Sequence, residues 1–292
     1  MSKYRIHISS KTKILNSFRL LFKIPIFNSL LIGLTQRSQH RFVQKLVPPN
    51  YLFKKGNYRI VSRNGIRYKL DISNVVDHSF YYNLELPSYH SIIDHIKNAK
   101  VILDIGGNIG TSALYYANQN SGARILSFEP HPVTFIQAKE NISLNKFSNI
   151  EMINVGLGPK NETLKLYEVD ENNPGMNRIL NEDIALPYKL IEVVILDEIL
   201  KSKNISEVDF IKIDVEGFEH AVLLGAAETL KHKPVLFIEV NNNHLKENNS
   251  SAKALVHYLM KFNYSNFYRA DNLEKISAES NFENCHFDLI AL

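Results

Sequence analysis

Charged residues interrupt a stretch that otherwise has the pattern of a buried β-strand. Residues 208–214 read Val-Asp-Phe-Ile-Lys-Ile-Asp, so Lys212 and Asp214 stand two positions apart. Side chains two apart on a strand point to the same face of the sheet, and charges are costly to bury unless they are paired or used. The pattern therefore indicates either a structural ion pair or a reactive carboxylate that Lys212 orients and keeps ionised.

More polar residues follow this strand and the next one. Glu216 and His220 come directly after the first strand, and the next strand, 234–241, ends in Glu239 and Asn241. Because the carboxyl ends of neighbouring parallel strands meet at one edge of a sheet, we expect these side chains to lie close together. Carboxylates and histidine can take a proton, and carboxylate and amide oxygens suit Mg²⁺. The simpler alternative leaves the acids solvated and His220 on a helix surface.

A glycine-rich turn occurs earlier in the chain. Residues 101–110 read Val-Ile-Leu-Asp-Ile-Gly-Gly-Asn-Ile-Gly, and Thr111 leads into an apolar run that suits a helix. Strand, glycine turn and helix form the nucleotide-binding start of a doubly wound α/β domain. The dinucleotide pattern G-x-G-x-x-G fails, because Asn108 and Thr111 occupy two of its glycine positions. The alternative is a glycine turn that binds no ligand.

The pattern D-x-G-G-N-x-G instead resembles the first motif of class I S-adenosylmethionine (SAM) methyltransferases. A second strand, 124–128, ends at Glu129, 25 residues after Asp104, where this fold places an acid for both ribose hydroxyls. A third strand, 150–155, should bring Asn154 to the same edge, near the adenine. The resemblance implies SAM as the cofactor, held by Asp104, Gly106, Asn108, Gly110, Thr111, Glu129 and Asn154.

These elements predict an α/β fold of the class I, Rossmann-like methyltransferase type. We expect a seven-stranded, mostly parallel sheet with helices on both faces and an antiparallel closing pair, over residues 75–292. Residues 1–74 are expected to form a basic N-terminal extension with an amphipathic helix and a β-hairpin centred on Asn64-Gly65. The single cysteine, Cys285, excludes an internal disulfide and fits a reducing, cytoplasmic compartment.

The charge of the chain is unevenly distributed. Residues 1–70 contain 15 Lys+Arg and no Asp or Glu, so the remaining residues carry 34 − 15 = 19 basic and 30 acidic groups, a net charge of −11. A basic arm on an acidic body suggests an anionic partner. Neither C-x-x-C nor H-E-x-x-H occurs in the sequence, which argues against a zinc site of either type.

The apolar segment at residues 14–34 has three open interpretations. It could pack on the catalytic domain, lie in a membrane interface, or serve as a targeting presequence. Pro25 should break or kink it, and its uninterrupted apolar runs are too short to span a bilayer. We expect residues 1–45 to dock on an anionic membrane surface, at the inner face of the membrane. Basic residues and aromatics around 54–71 leave nucleic acid as another partner.

Taken together, the motifs resemble the FkbM family of SAM-dependent methyltransferases. The matching pieces are Leu103-Asp-Ile-Gly-Gly-Asn-Ile-Gly110, Phe128-Glu-Pro130, Leu196-Asp-Glu-Ile-Leu200 and Lys212-Ile-Asp-Val-Glu-Gly-Phe-Glu219, of which the last is the most specific. The resemblance covers about residues 75–260 and implies O-methylation of a hydroxyl on a sugar, a glycolipid or polysaccharide unit, or a related natural product. Gly107, where the family more often has alanine, is a departure expected to be harmless.

Two other functions stay open at this stage. An RNA methyltransferase would use the basic arm, although the Asn- or Asp-Pro-Pro-aromatic motif of enzymes that methylate base nitrogens does not occur in the sequence. A non-enzymatic membrane adaptor on a methyltransferase fold would have no use for buried charge at the strand ends. The acceptor itself is not specified by the motifs.

Methyl transfer to an alcohol usually needs a base or a metal, since the hydroxyl is a poor nucleophile at neutral pH. We expect the base to be Asp214, Glu239 or His220, with Lys212 orienting Asp214. A Mg²⁺ site is the alternative. Its predicted ligands are Asp214, Glu239 and Asn241. Glu216 and Asn241 are predicted to contact the acceptor.

Overall fold

The computed structural model describes residues 9–38, 40–84 and 89–292. The chain divides into two compact units, the first comprising Met1–Val61 and Leu70–Pro87 and the second Ser62–Lys69 and Ser88–Leu292. The first unit therefore continues beyond residue 74, where the sequence predicts a boundary. Residues 1–8 and Gln39 of the predicted basic arm lie outside the described residues.

Helices make up most of the described part of the first unit. They are α1 (Ser10–Arg19), α2 (Pro25–Arg37), α3 (Arg41–Leu46) and α4 (Val75–Tyr81). Pro25 is the first residue of α2, and the chain bends there by 102° between the stretches Ser10–Lys23 and Pro25–Arg37. In the described residues, no single helix is long and apolar enough to cross a membrane, and only this bent pair, taken together, would pass on length and composition.

The predicted hairpin is present. Its strands are β1 (Tyr58–Arg63) and β2 (Ile66–Asp71), which pair as a two-stranded sheet. Asn64 and Gly65, between them, have φ values of 49° and 82°. Both lie in the left-handed region that a type I′ turn requires, so the Asn-Gly pair has the conformation that the sequence predicts.

The second unit consists of strands and helices that alternate along most of its length. The strands are β3 (Val101–Ile105), β4 (Arg124–Phe128), β5 (Ile150–Ile153), β6 (Gly156–Leu157), β7 (Glu162–Tyr167), β8 (Arg178–Ile179), β9 (Tyr188–Val194), β10 (Phe210–Ile213), β11 (Val235–Asn241), β12 (Phe267–Arg269), β13 (Lys275–Ile276) and β14 (His286–Ala291). The helices are α5 (Ile93–Asn98), α6 (Thr111–Gln119), α7 (Pro132–Ser143), α8 (Leu196–Ser202), α9 (Glu219–Leu224), α10 (Ala227–Lys231), α11 (Asn242–Glu247) and α12 (Ala252–Met260).

A mostly parallel sheet forms the centre of the second unit, as predicted. Its strand order is β13-β12-β14-β11-β10-β3-β4-β5, with β11, β10, β3, β4 and β5 parallel and β14 antiparallel to β11. This described sheet has eight strands, one more than the seven expected. The additional strand, β13, is a two-residue edge strand that the alternation of so short a segment does not reveal.

Apolar side chains of the central strands pack on both faces of this sheet. Leu103 and Ile105 of β3 belong to a core cluster that contains residues of α8 and α9, whereas Ile102 belongs to a second cluster with residues of α5 and α6. The alternation of neighbours along one strand follows from the two-residue period of side-chain direction. Burial on both faces explains why these strands are almost wholly apolar.

A smaller sheet with the order β6-β9-β7-β8 lies in the chain between β5 and α8. The segment 170–187, which the sequence indicates to be irregular, contains a 3₁₀ turn, Pro174–Met176, followed by β8. Leu166 and Tyr167 of β7 pair with Ile179 and Arg178 of β8. This pairing fixes Arg178 in place within an otherwise irregular loop.

Candidate active site

Strand register brings the predicted site residues to one edge of the central sheet. Ile105 of β3 is in register with Phe128 of β4 and with Ile213 of β10. The glycine turn, Glu129 and Asp214 each begin one residue after these aligned positions. Three separate segments of the chain therefore present their polar groups at the carboxyl ends of adjacent parallel strands, which is where α/β folds bind ligands.

The glycine turn after β3 is tight because protein atoms surround it. Gly106, Asn108 and Gly110 have φ values of 79°, 46° and 84°, all left-handed. A Cβ on Gly106 would lie 1.8 Å from the carbonyl oxygen of Asp214, so the backbone after β10 requires glycine there. Thr111 is the first residue of α6, which begins directly after the turn.

Gly107 faces the side chain of Ser127. A Cβ on Gly107 would lie 2.1 Å from Ser127 Oγ, which itself donates a 2.8 Å hydrogen bond to Asp104 Oδ2. The Ser127 hydroxyl therefore occupies the space that the methyl group of an alanine at position 107 would need. Glycine at this position leaves room for that hydroxyl.

We expect Gly107→Ala to lower the free energy of unfolding by about 1–3 kcal/mol, since the methyl group must displace Ser127. Urea denaturation measures this change. Gly122→Ala is a matched control, because its Cβ would meet only Asn120 Oδ1 at 3.5 Å. Combining Gly107→Ala with Ser127→Ala should cost less than the sum of the two single changes. Strict additivity would show that Ser127 is not the obstacle.

Asp104, two residues before the turn, is buried and does not reach the surface. Its side chain is fully buried, and it accepts hydrogen bonds from the hydroxyls of Ser112 and Ser127 at 2.8 Å. Lys212 Nζ lies 3.8 Å from Asp104 Oδ1. The prediction that Asp104 contacts the cofactor is therefore corrected: it has no exposed surface, and its contacts tie β3 to α6, β4 and β10.

Glu129 connects the end of β4 to the glycine turn. One carboxylate oxygen accepts from the backbone N–H of Asn108 at 2.9 Å and the other from that of His131 at 2.8 Å. Burial raises the pKa of Glu129 to about 7 against the opposing effect of these bonds. Each oxygen keeps a free lone pair.

The exposed Asn154 donates from its side-chain amide to the carbonyls of Glu129 and Pro130 at 2.8 and 3.0 Å, so it lies at the predicted edge.

Lys212 links the glycine turn to β10. Its ammonium group donates to the carbonyl of Gly106 at 2.8 Å and lies 3.1 Å from Asp214 Oδ2. Burial lowers the pKa of Lys212, but the charges of Asp214 and Asp104 outweigh it and leave the pKa raised. The side chain of Lys212 is 8% exposed and that of Asp214 is 43% exposed. The pair therefore has a buried cation and an accessible carboxylate.

Further carboxylates surround Asp214, and their pKa values are raised. Burial, followed by the charge of Asp214, raises the pKa of Glu216 to about 7 and that of Asp288 to about 6, and it raises the pKa of Glu239 strongly. Burial also raises the pKa of Glu219 to about 7, although its Oε1 accepts from the backbone N–H groups of Val215 and Gly217. Asp288 was missed from the sequence because only the pairing of β14 with β11 places it opposite Glu239.

The predicted Mg²⁺ ligands do not fit a metal site. Asn241 Oδ1 accepts from the backbone N–H groups of Asn243 and His244 as the N-cap of α11. Glu239 Oε1 accepts from His286 Nε2 at 3.0 Å, if that nitrogen carries the proton. In the described ranges, no group of three or more His, Cys, Asp or Glu side chains is arranged to hold a metal ion. The assignment of Asn241 as an acceptor contact is corrected for the same reason, since its oxygen caps a helix.

His220 packs away from the carboxylates. Its Nδ1 lies 2.6 Å from Ser250 Oγ, and its ring makes an edge contact with Tyr258 of α12 at a centroid distance of 5.3 Å. Burial lowers its pKa. These contacts pack His220 against Ser250 and α12, so we do not assign it as the base.

Glu216 belongs to a polar group that the sequence indicated only in part. It has a φ of 53° in the turn after β10, and its Oε2 lies 3.0 Å from His244 Nδ1. Asn248 donates to the carbonyls of Gly217 and Ile179 at 3.2 and 3.1 Å, which joins this turn to β8. The charge of Arg178, next to Ile179, opposes the rise that burial causes in the pKa of Glu216, and burial followed by the same charge lowers the pKa of His244. Arg178 and His244 could not be identified earlier, because only tertiary packing brings β8 and α11 to this turn.

The family profile described as the methyltransferase FkbM domain matches residues 104–266, more than half of the chain. Methyltransferase 1 of Beauveria bassiana is 32% identical over 146 residues, which cover 42% of this chain and 57% of that protein. The 2-O-methyltransferase NoeI of Sinorhizobium fredii is 23% identical, covering 56% and 72%, and the hexuronic acid methyltransferase AglP of Haloferax volcanii is 25% identical, covering 51% and 59%. The chain thus spans little more than half the length of two of these three relatives.

One of the similar solved structures is Aeropyrum pernix fibrillarin in complex with SAM. It superposes with a TM-score of 0.41 at 16% identity, over 82% of this chain and 84% of that one. Residues 104–266, which the family profile matches, contain the glycine turn, Glu129 and the Lys212–Asp214 pair.

Proposed function

Since this chain belongs to the FkbM methyltransferase family, we propose that it transfers the methyl group of SAM to a hydroxyl of a sugar or glycan unit. Among its relatives, one is named a 2-O-methyltransferase and another a hexuronic acid methyltransferase, which supports a hydroxyl-bearing carbohydrate as the acceptor. The observation that carries the proposal is the accessible Asp214 carboxylate, held by buried Lys212 beside the glycine turn.

The residues around the glycine turn fit the chemistry of SAM. Glu129 sits at the end of β4 with a free lone pair on each oxygen, which suits two vicinal ribose hydroxyls. The turn from Gly106 to Gly110 lies directly beside it, and Asn154 lies at the end of β5. When bound, SAM supplies a methyl group activated by a sulfonium.

Asp214 is the proposed general base. It stands at the carboxyl end of β10, next to the glycine turn, and its side chain is 43% exposed. Lys212 fixes the carboxylate by its contact at 3.1 Å. An ionised carboxylate in this position would take the proton of an acceptor hydroxyl, whose oxygen would be the nucleophile for the methyl group that bound SAM would supply, with S-adenosylhomocysteine as the leaving group.

Glu239 is less suited to the role of base. Its pKa is raised strongly, chiefly by burial and then by the charge of Asp214, so it favours the protonated form. It is also paired with the exposed His286. We assign it to the wall of the site beside Asp214.

The acceptor is proposed to bind beside Glu216. Arg178, Glu216 and His244 there provide both hydrogen-bond donors and acceptors. Such a mixture suits the several hydroxyls of a sugar. The positive charge of Arg178, whose guanidinium also lies 3.4 Å from the carboxylate of Glu247, additionally suits an acidic sugar.

Replacing Glu129 by glutamine should weaken SAM binding by about 1.5–3 kcal/mol, because charge-assisted hydrogen bonds to the ribose are lost. The amide also cannot accept from Asn108 and His131 on both sides as the carboxylate does. Isothermal titration calorimetry measures the affinity. Glu140→Gln, at an exposed carboxylate of α7 paired with Lys69, is the control and should bind SAM as the wild type does. Equal affinities of both variants would exclude Glu129 from the cofactor site.

Calorimetry of the wild-type chain with SAM and with NAD tests which cofactor it binds. SAM should bind at one site per chain and NAD should not bind, since the dinucleotide glycine pattern fails at Asn108 and Thr111. Tight binding of NAD without binding of SAM would overturn the proposed function.

A further inference from the structure

The two N-terminal helices bury polar side chains and leave large apolar side chains exposed. In α2, the buried positions are Asn28, Leu31 and Thr35, which lie on one side of the helix. In α1, the buried residue is Asn16. A helix packed on a water-soluble protein normally shows the opposite arrangement.

Hydrogen bonds join the buried polar side chains of α1 and α2 to other residues of the first unit. Asn28 donates to the hydroxyl of Tyr81 at 2.7 Å and accepts from that of Tyr82 at 2.8 Å. Asn16 donates to the hydroxyl of Tyr51 at 3.0 Å, and Asn83 donates to the carbonyl of Thr35 at 3.1 Å. Because buried amides are costly without partners, these bonds hold the helices in one rotation.

The outward face carries large apolar side chains. Between residues 14 and 42, ten large apolar side chains are at least 42% exposed, with Ile26 at 67% and Phe18 at 64%. They are Ile14, Phe18, Leu20, Leu21, Ile24, Ile26, Phe27, Leu30, Leu34 and Phe42. Exposed large apolar side chains that occur this densely along one segment indicate an interaction site. We call these ten residues the apolar face.

The charge around the apolar face is of one sign. Residues 1–70 contain 15 Lys+Arg and no Asp or Glu. Lys11 and Lys13 of α1 are exposed, as are Arg37, the last residue of α2, and Arg41, the first residue of α3. An apolar surface surrounded by cations matches a layer of acyl chains beneath anionic headgroups.

We propose that α1 and α2 lie flat in the interface of an anionic lipid bilayer and anchor the chain there. The apolar face enters the acyl region, and the basic residues contact the headgroups. Neither helix is long enough to span the bilayer by itself. A second copy of this chain fits the face less well, because it would bring the same positive charge, and a nucleic acid offers no apolar surface to cover these side chains.

Sedimentation of the full chain with vesicles tests this proposal. Binding should be at least about tenfold stronger to phosphatidylcholine vesicles with 30% phosphatidylglycerol than to phosphatidylcholine alone, and it should weaken at 0.5 M NaCl. The double variant Phe18→Ser, Leu30→Ser should lose at least about tenfold in partitioning, since each removed side chain gives up buried apolar area. Its matched control is Met260→Ser, Leu273→Ser, which removes two exposed apolar side chains of the second unit.

The control variant should partition as the wild type does. Circular dichroism and SAM calorimetry establish that both variants are folded, so a failure of the cofactor assignment is distinguished from a failure of the anchor. Equal binding of wild type and Phe18→Ser, Leu30→Ser to anionic vesicles would overturn the proposal. So would a stable dimer without lipid that this double variant dissociates, or binding to RNA in place of vesicles.

Discussion

Replacing Asp214 by asparagine is expected to lower the turnover number at least about 100-fold while leaving SAM affinity nearly unchanged. The amide keeps the shape of the side chain but cannot accept the proton of an acceptor hydroxyl. The neighbouring backbone should persist, since the N–H of residue 214 bonds to the carbonyl of Ile105 at 3.0 Å and does not involve the side chain. Steady-state kinetics with an identified acceptor give the turnover number, and calorimetry gives the SAM affinity.

The control for this experiment is Asp271→Asn. Asp271 is 59% exposed and is paired with Arg269, so it is an ion-paired aspartate outside the candidate site. Its variant should keep turnover within about twofold, because surface ion pairs contribute little. Near-wild-type turnover in Asp214→Asn, with a normal circular dichroism spectrum, would remove Asp214 from the mechanism and direct attention to Glu239.

The second large effect concerns stability. Lys212→Met should lower the free energy of unfolding by about 3–5 kcal/mol, because it leaves the fully buried Asp104 carboxylate without its cation. The bond that Lys212 donates to the carbonyl of Gly106 is lost as well. Urea denaturation followed by circular dichroism measures the change.

Lys231→Met provides the comparison for a lysine on the surface. Lys231 is 59% exposed and pairs with Glu228, so its loss should change stability by less than about 1 kcal/mol. The double variant Asp104→Asn, Lys212→Met should recover part of the loss, since no buried charge then stands unpaired. A loss in Lys212→Met as small as that in Lys231→Met would show that Lys212 does not balance Asp104.

Local pattern was sufficient to predict that the segments proposed to hold SAM meet at one edge of the sheet. A buried strand, a glycine turn and an acid after the next strand are features of consecutive segments, and parallel register brings them to one edge. The same reasoning placed Lys212 and Asp214 together, because two-residue spacing on a strand fixes a common face. Asp104 could not be assigned in this way, since its burial beneath Ser112 and Ser127 depends on three-dimensional packing.

The proposed acceptor site could be predicted only in part, because it too depends on tertiary packing. Arg178 lies in a short strand within an irregular stretch, and its position near Glu216 depends on the bond from Asn248 to Ile179. Asn241 looked like a ligand because it ends a strand, but the next helix begins there and takes its oxygen as a cap. Helix caps and strand-end ligands use the same residue types, so the sequence does not separate them.

Transfer of a labelled methyl group tests the proposed function most directly. The chain is incubated with methyl-labelled SAM and a panel of neutral sugars, acidic sugars, lipid-linked glycans and RNA, and the products are analysed for the methylated atom. We predict label in an O-methyl ether of a sugar hydroxyl, formed with one equivalent of S-adenosylhomocysteine and reduced at least about 100-fold in Asp214→Asn. Label in RNA, or in a nitrogen or carbon of any acceptor in place of a sugar oxygen, would contradict it.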